Sequence, residues 1–233
     1  MTKQMVYRLM IYLSGLLILA LGLTLNTKAG LGVSAIISVS YCISLVLQLN
    51  FGDVTLGLYV VFVIIEMILH GIALKKQKSL KKTLVMDALQ IPLSVVFTRL
   101  LNLYGAFLPD LSDQAMWLRL GVLLIAILLT GIGAAMSLNM RLIPNPGDGI
   151  VQAIADTFHK SVGFSKNMFD LVNITIAIVI GLSVAGELSG VGIGTVLAVI
   201  GVGRSIALFN HLTLHRLNEL AGLNAASQMF KSE

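Results

Sequence analysis

Charge is the first thing this sequence lacks. Only 12% of its 233 residues are Asp, Glu, Lys or Arg, about half the share found in a soluble domain. With 57% hydrophobic residues and a mean hydropathy of +0.93, the chain reads as an integral membrane protein. Cysteine is nearly absent. The single Cys42 gives no disulfide and no thiolate cluster, and in its apolar segment it reads as a small packing residue. Histidine numbers four, and no His/Glu/Asp spacing resembles a metal site. No Walker-type phosphate loop and no Ser/His/Asp arrangement is present. No cofactor is expected, and an intramembrane enzyme has the least support of any function class.

What charge there is lies in places that inform. Lys75, Lys76, Lys78, Lys81 and Lys82 form one short loop, which reads as a cytoplasmic loop obeying the positive-inside rule rather than a nucleic-acid patch. Six stretches are apolar and long enough to span a bilayer core: residues 5–25, 56–74, 83–104, 117–138, 168–185 and 196–212. Two further segments are short or polar. Residues 33–49 are apolar but brief, and residues 149–163 carry Gln152, Asp156, His159 and Lys160, which are costly to expose to lipid. Residues 105–116 hold Pro109, Asp110 and Asp113 and separate the halves; residues 213–233 are polar and read as a cytoplasmic tail with a short helix.

Two of the four prolines fall in one polar interruption, residues 139–149, Asn-Met-Arg-Leu-Ile-Pro-Asn-Pro-Gly-Asp-Gly. Prolines end helices, Gly147 and Gly149 allow a sharp turn, and Asp148 is the expected N-cap of a new helix. The halves resemble one another at a displacement of about 112 residues, the kind of ordered series that marks a duplication. Leu25-Asn26-Thr27-Lys28 aligns with Leu138-Asn139-Met140-Arg141, Gly52 with Gly163, and Thr83-Leu84-Val85 with Thr195-Val196-Leu197. Each half reads as span, break, short segment, span, span. The fold expected is all-α and polytopic, with six full spans, two short broken or re-entrant segments and two inverted repeats, residues 1–104 and 117–212. Both termini and the Lys75–Lys82 loop are then cytoplasmic. The rival reading has eight spans in parallel halves and places the basic termini outside, against the positive-inside rule.

The breaks carry a resemblance. Gly30-Leu31-Gly32-Val33-Ser34, residues 145–149 and Gly192-Ile193-Gly194-Thr195 resemble the YczE/YitT-type family of bacterial integral membrane proteins. Similar proteins often have a proline where Ser34 stands. The resemblance implies a compact polytopic membrane fold in a bacterial cell membrane and no agreed substrate.

Inverted repeats with broken segments are typical of secondary transporters, which bind solute near the midplane between the repeats. The candidate lining residues are Asn26, Lys28, Ser34, Asn139, Arg141 and Asp148, with Glu66 and Arg204 as ionisable groups inside spans. Lys28 and Arg141 either snorkel to headgroups or form a basic pair for an anionic solute, with Arg141 gripping it by two bonds. Asp148 reads as a cap before it reads as a proton carrier. The leading function is therefore a transporter or exporter of a small anionic solute, favoured if Asn26, Lys28, Asn139, Arg141 and Asp148 converge on one cavity and disfavoured if they scatter to both headgroup levels. The second is a non-transporting assembly partner or regulator of another membrane complex. The partners expected are the bilayer and a small molecule, no nucleic acid, with a homo-oligomer left open.

Overall fold

The computed structural model describes residues 3–75 and 79–223. Lys76 and Lys78 of the basic loop, and residues 224–233 of the expected tail, lie outside the described residues. The described chain is helical and forms a multi-pass membrane protein. Its helices are α1 (Lys3–Lys28), α2 (Ala35–Val46), α3 (Phe51–Ala73), α4 (Leu80–Ala88), α5 (Gln90–Phe107), α6 (Met116–Asn139), α7 (Pro146–Phe158), α8 (Val162–Ile180, prolonged by a π turn Gly181–Ala185) and α9 (Ile193–Leu220). Six helical rods are long and apolar enough to cross a membrane, with α4 and α5 counted as one.

Local chemistry sets the boundaries. Pro92 has no N–H and crowds the carbonyl four residues earlier, so the third rod breaks between Ala88 and Gln90. Asn50 caps α3 by accepting from the Asp53 amide, and Ser161 caps α8 by accepting from the Phe164 amide. Asp148 is not the cap of α7. Asn145 takes that place, accepting from the Gly147 amide at 3.1 Å, because Pro146 is already shaped for the first helical position and needs no donor. The last helix does not end at residue 212 either. No glycine or proline interrupts residues 204–220, and α9 runs on to Leu220.

The two short helices are each too short to cross a bilayer core. Twelve and thirteen residues rise about 18 and 20 Å, against a hydrocarbon core of about 30 Å. The chain also leaves α2 on the side where it entered. Lys28, Asn50, Phe51 and Asp110 line one cavity at the same end of the bundle. Between Lys28 and α2 the chain dives inward on an extended stretch. There Val33 donates to Gly190 at 2.9 Å and Gly194 donates to Leu31 at 2.7 Å. Gly32 has φ +99° and packs its Cα against the Gly192 backbone, so neither the conformation nor the space admits a side chain. The break after α6 delivers α7 to the same depth. A Cβ on Gly147 would strike the Ile36 side chain, so the N-terminal turns of α2 and α7 meet inside the bundle.

The centre of the bundle is the antiparallel crossing of α1 and α6, where small residues let two backbones touch. The contacts are reciprocal. Gly22 packs on the Thr130 backbone and Gly133 on the Leu19 backbone. Arg8 donates to the Met140 and Arg141 carbonyls, at 2.7 and 2.9 Å. Arg119 donates to the Ala29 and Gly30 carbonyls. Every member of one set lies 111 residues from its counterpart in the other. In this register Lys28 corresponds to Asn139, and Arg141 to Gly30. The two basic residues are not equivalent, because the sequence alignment that paired them is displaced by two residues from the packing.

Candidate functional site

The candidate residues separate into three groups. Lys28 sits at one end of the bundle, facing a cavity of about 430 Å³ that it shares with Asp110. Arg141 and Arg204 are exposed, and Arg141 contributes only its carbonyl to the Arg8 contact. Lys28 and Arg141 therefore do not converge. Asn26 and Asn139 have structural partners. Asn26 Oδ1 accepts from the Ser34 amide at 2.7 Å, fixing the start of α2. Asn139 Nδ2 donates to Asn210 Oδ1 at 2.8 Å, joining α6 to α9.

Ser34, Asp148 and Glu66 form the third group, in which Asp148 shares one cavity with Ser34 and another with Glu66. Ser34 and Asp148 line a cavity of about 40 Å³ where the two short helices meet, with Tyr59, Asn145 and Lys166. Such a volume suits a water or two. Asp148 and Lys166 also line a larger, mostly apolar cavity of about 470 Å³ that reaches Glu66, His70 and Asp87. Asp148 and Lys166 thus stand between a polar centre and a roomier chamber. The first-turn amides of α2 and α7 add partial positive charge at that centre.

Polar side chains are costly here unless paired. Lys166 Nζ binds Asp170 Oδ2 at 2.8 Å. His70 Nδ1 lies 2.8 Å from Asp87 Oδ2. Gln90 Nε2 donates to Glu66 Oε1 at 2.8 Å. Four buried side-chain oxygens have no partner among the described residues: Glu66 Oε2, Gln90 Oε1, Ser165 Oγ and Asp170 Oδ1. They lie on α3, α5 and α8, and α7 packs against both α3 and α8. Gly149 explains the second glycine of the break. A Cβ there would stand 2.6 Å from Glu66 Oε2 and 3.0 Å from Gln90 Nε2.

Sequence reasoning missed Lys166, Asp170, His70, Asp87 and Gln90. Glu66 and His70 are four residues apart on one helix face, a signal that was present. Asp87 and Gln90 join them only because α4 and α5 fold back on α3. Lys166 lay outside the expected fifth span, which the structure begins six residues earlier, at Val162.

Outside the spans, Asp110 accepts from the Ser112 amide and hydroxyl at 2.8 and 2.5 Å. Those bonds, with Lys28 and Arg119 nearby, hold its carboxyl below the usual range against a smaller opposing effect of burial.

No curated protein and no solved structure matches the chain significantly. A family model matches residues 6–211, from the first turns of α1 into the last third of α9. On that match the chain belongs to the family of unknown function DUF6198.

Proposed function

We propose that this protein is a secondary transporter of a small solute, working by alternate opening of two inverted repeats about the meeting point of α2 and α7. The observation that carries the reading is the 470 Å³ chamber beside buried oxygens that lack partners. Unsatisfied polar atoms at membrane depth are retained where a ligand or ion completes them. The reciprocal contacts of Arg8 and Arg119 support the inverted-repeat reading, since a two-fold relation in the membrane plane would generate both from one duplicated motif. In this reading residues 1–104 and 117–212 are the repeats.

The charge of the chamber favours a different solute from the one Lys28 and Arg141 suggested. Lys166 is engaged by Asp170 and His70 by Asp87, leaving Glu66 and Asp148 as acids among apolar walls. A small, largely apolar solute bearing an amine suits this better than an anion. The orientation follows the positive-inside rule: the end with Arg8, Lys75, Lys82, Arg141 and Lys160 is cytoplasmic, and Asp53, Asp110 and Asp113 are external. The kinship with YczE/YitT-type proteins and a place in a bacterial cell membrane belong to the same reading, as does the absence of enzymic activity.

The test is a thermal-shift screen of purified protein against amines, amino acids and organic anions, since a ligand of the native state raises the melting temperature. Hits then go to uptake in proteoliposomes. Stabilisation by amines that Asp148→Asn removes, followed by uptake, supports the reading. Stabilisation by anions alone, or binding without uptake in either direction, overturns it.

A second reading has its own observation. Arg204 lies partway along α9 on the exposed face, and charged groups at membrane depth ordinarily face protein or water. Under this reading α9 docks on another membrane protein or on a second copy of the chain. Cysteine crosslinking at Leu208 in native membranes distinguishes a partner from lipid.

A further inference from the structure

We infer that Glu66, His70 and Asp87, with Gln90, form a binding site for a divalent first-row transition metal. Donor atoms of the first three lie within 4.8 Å of one another, and all three residues are buried. Around a metal with bonds of about 2.0–2.1 Å, donors stand roughly 3–4 Å apart, so a small contraction closes the set. The independent observation is the pair of orphaned oxygens. Glu66 is 2% exposed and Gln90 0%, their head groups face one another, and Glu66 Oε2 and Gln90 Oε1 have no donor. A proton shared between these two oxygens reaches only Glu66 and Gln90, whereas a cation in the middle also takes the His70 and Asp87 donors.

Charge balance points the same way. Two carboxylates and a neutral imidazole neutralise a dication, and a neutral cluster is the form a low-dielectric interior accepts most readily. Imidazole among the donors favours Fe, Ni, Cu or Zn over Mg and Ca, which prefer oxygen alone. The fold itself does not require a polar cluster here. Displaced by 111 residues, the counterparts of Glu66, His70, Asp87 and Gln90 are Ala177, Gly181, Ala198 and Gly201. There Cys42 packs on α8 with its thiol 3.3 Å from the Ala177 carbonyl. One of two corresponding places is filled by small apolar residues, and the other carries four ligating side chains. The site draws on the same orphaned oxygens as the transport reading, and a bound metal takes Glu66, which leaves Asp148 as the acid facing a solute.

The experiment uses the full chain in detergent, purified without a polyhistidine tag, stripped with chelator and titrated with Co²⁺ and Zn²⁺. The expected result is one equivalent bound per chain, a Co²⁺ d–d spectrum showing nitrogen and oxygen donors, and a rise in melting temperature with either metal. Glu66→Gln, His70→Asn and Asp87→Asn should each weaken binding by about 100-fold or more, beyond the 10–100-fold typical of outer-shell changes. Should these variants misfold, His159→Asn, His211→Gln and His215→Gln combined still decide. These three are exposed, and their removal leaves His70 as the only histidine. Retained binding with an imidazole signal then supports the site. Absence of stoichiometric binding by wild type, or its loss in the triple variant, overturns it.

Discussion

Gly22→Ala tests what holds the two halves together. A Cβ at Gly22 would stand 2.5 Å from Thr130 N, 2.7 Å from Thr130 Oγ1 and 3.0 Å from the Ala126 carbonyl. Two of these are backbone atoms of α6, so no rotamer change relieves the contact and the helices must separate by about 1 Å to restore normal packing distances. Overpacking of this kind costs about 1–3 kcal/mol, and a backbone clash belongs at the upper end. Alanine in a helix returns about 1 kcal/mol of propensity. The net expectation is a loss of about 2 kcal/mol, roughly 30-fold in the unfolding constant. Gly121→Ala is the control on the same pair of helices, since nothing lies within 4 Å of a Cβ there; it should be neutral or gain up to about 1 kcal/mol. Gly133→Ala should behave like Gly22→Ala, and the double variant should lose less than the sum because one separation relieves both. The assay is unfolding in mixed micelles at increasing denaturing detergent, followed by far-ultraviolet circular dichroism and Trp117 fluorescence. If Gly22→Ala and Gly121→Ala unfold at the same point, the crossing is not held by backbone contact and the reasoning fails.

Asn26→Ala should cost about 1–3 kcal/mol in the same assay, because the part-buried Ser34 amide loses its acceptor; an unchanged midpoint would show that water replaces the side chain. Arg8→Ala and Arg119→Ala should destabilise by similar amounts, since each removes the same pair of bonds to a break, and a large inequality would count against the two-fold relation. The Asp110 carboxyl is held below its ordinary value by Ser112, so its contribution is intact at neutral pH and is lost as pH falls through the lowered value. Asp110→Asn should flatten the acid limb of the unfolding profile, and an identical limb in both proteins would refute the assignment. In a version with Cys42 replaced, a cysteine at Asp113 should react with an impermeant reagent from outside and one at Lys160 should not; the reverse pattern would invert the topology.

The sequence by itself determined the class and the number of spans. A bilayer demands long uncharged runs, and such runs are visible one residue at a time. It determined the two breaks as well, because proline and glycine act on their own backbone whatever surrounds them. It failed where partners come from afar. Asn26 and Asn139 were legible as polar residues at helix ends, but their roles depend on Ser34 and Asn210. The pairing of Lys28 with Arg141 rested on local similarity, and a two-residue displacement in the packing of α1 on α6 undid it. Glu66 was marked by its position in a span, yet its meaning depends on Gln90 and Asp87 folding back from the next rod and on Gly149 leaving room. Periodicity and propensity are properties of neighbouring residues, whereas a buried polar site is a property of residues that only the tertiary structure brings within hydrogen-bonding distance.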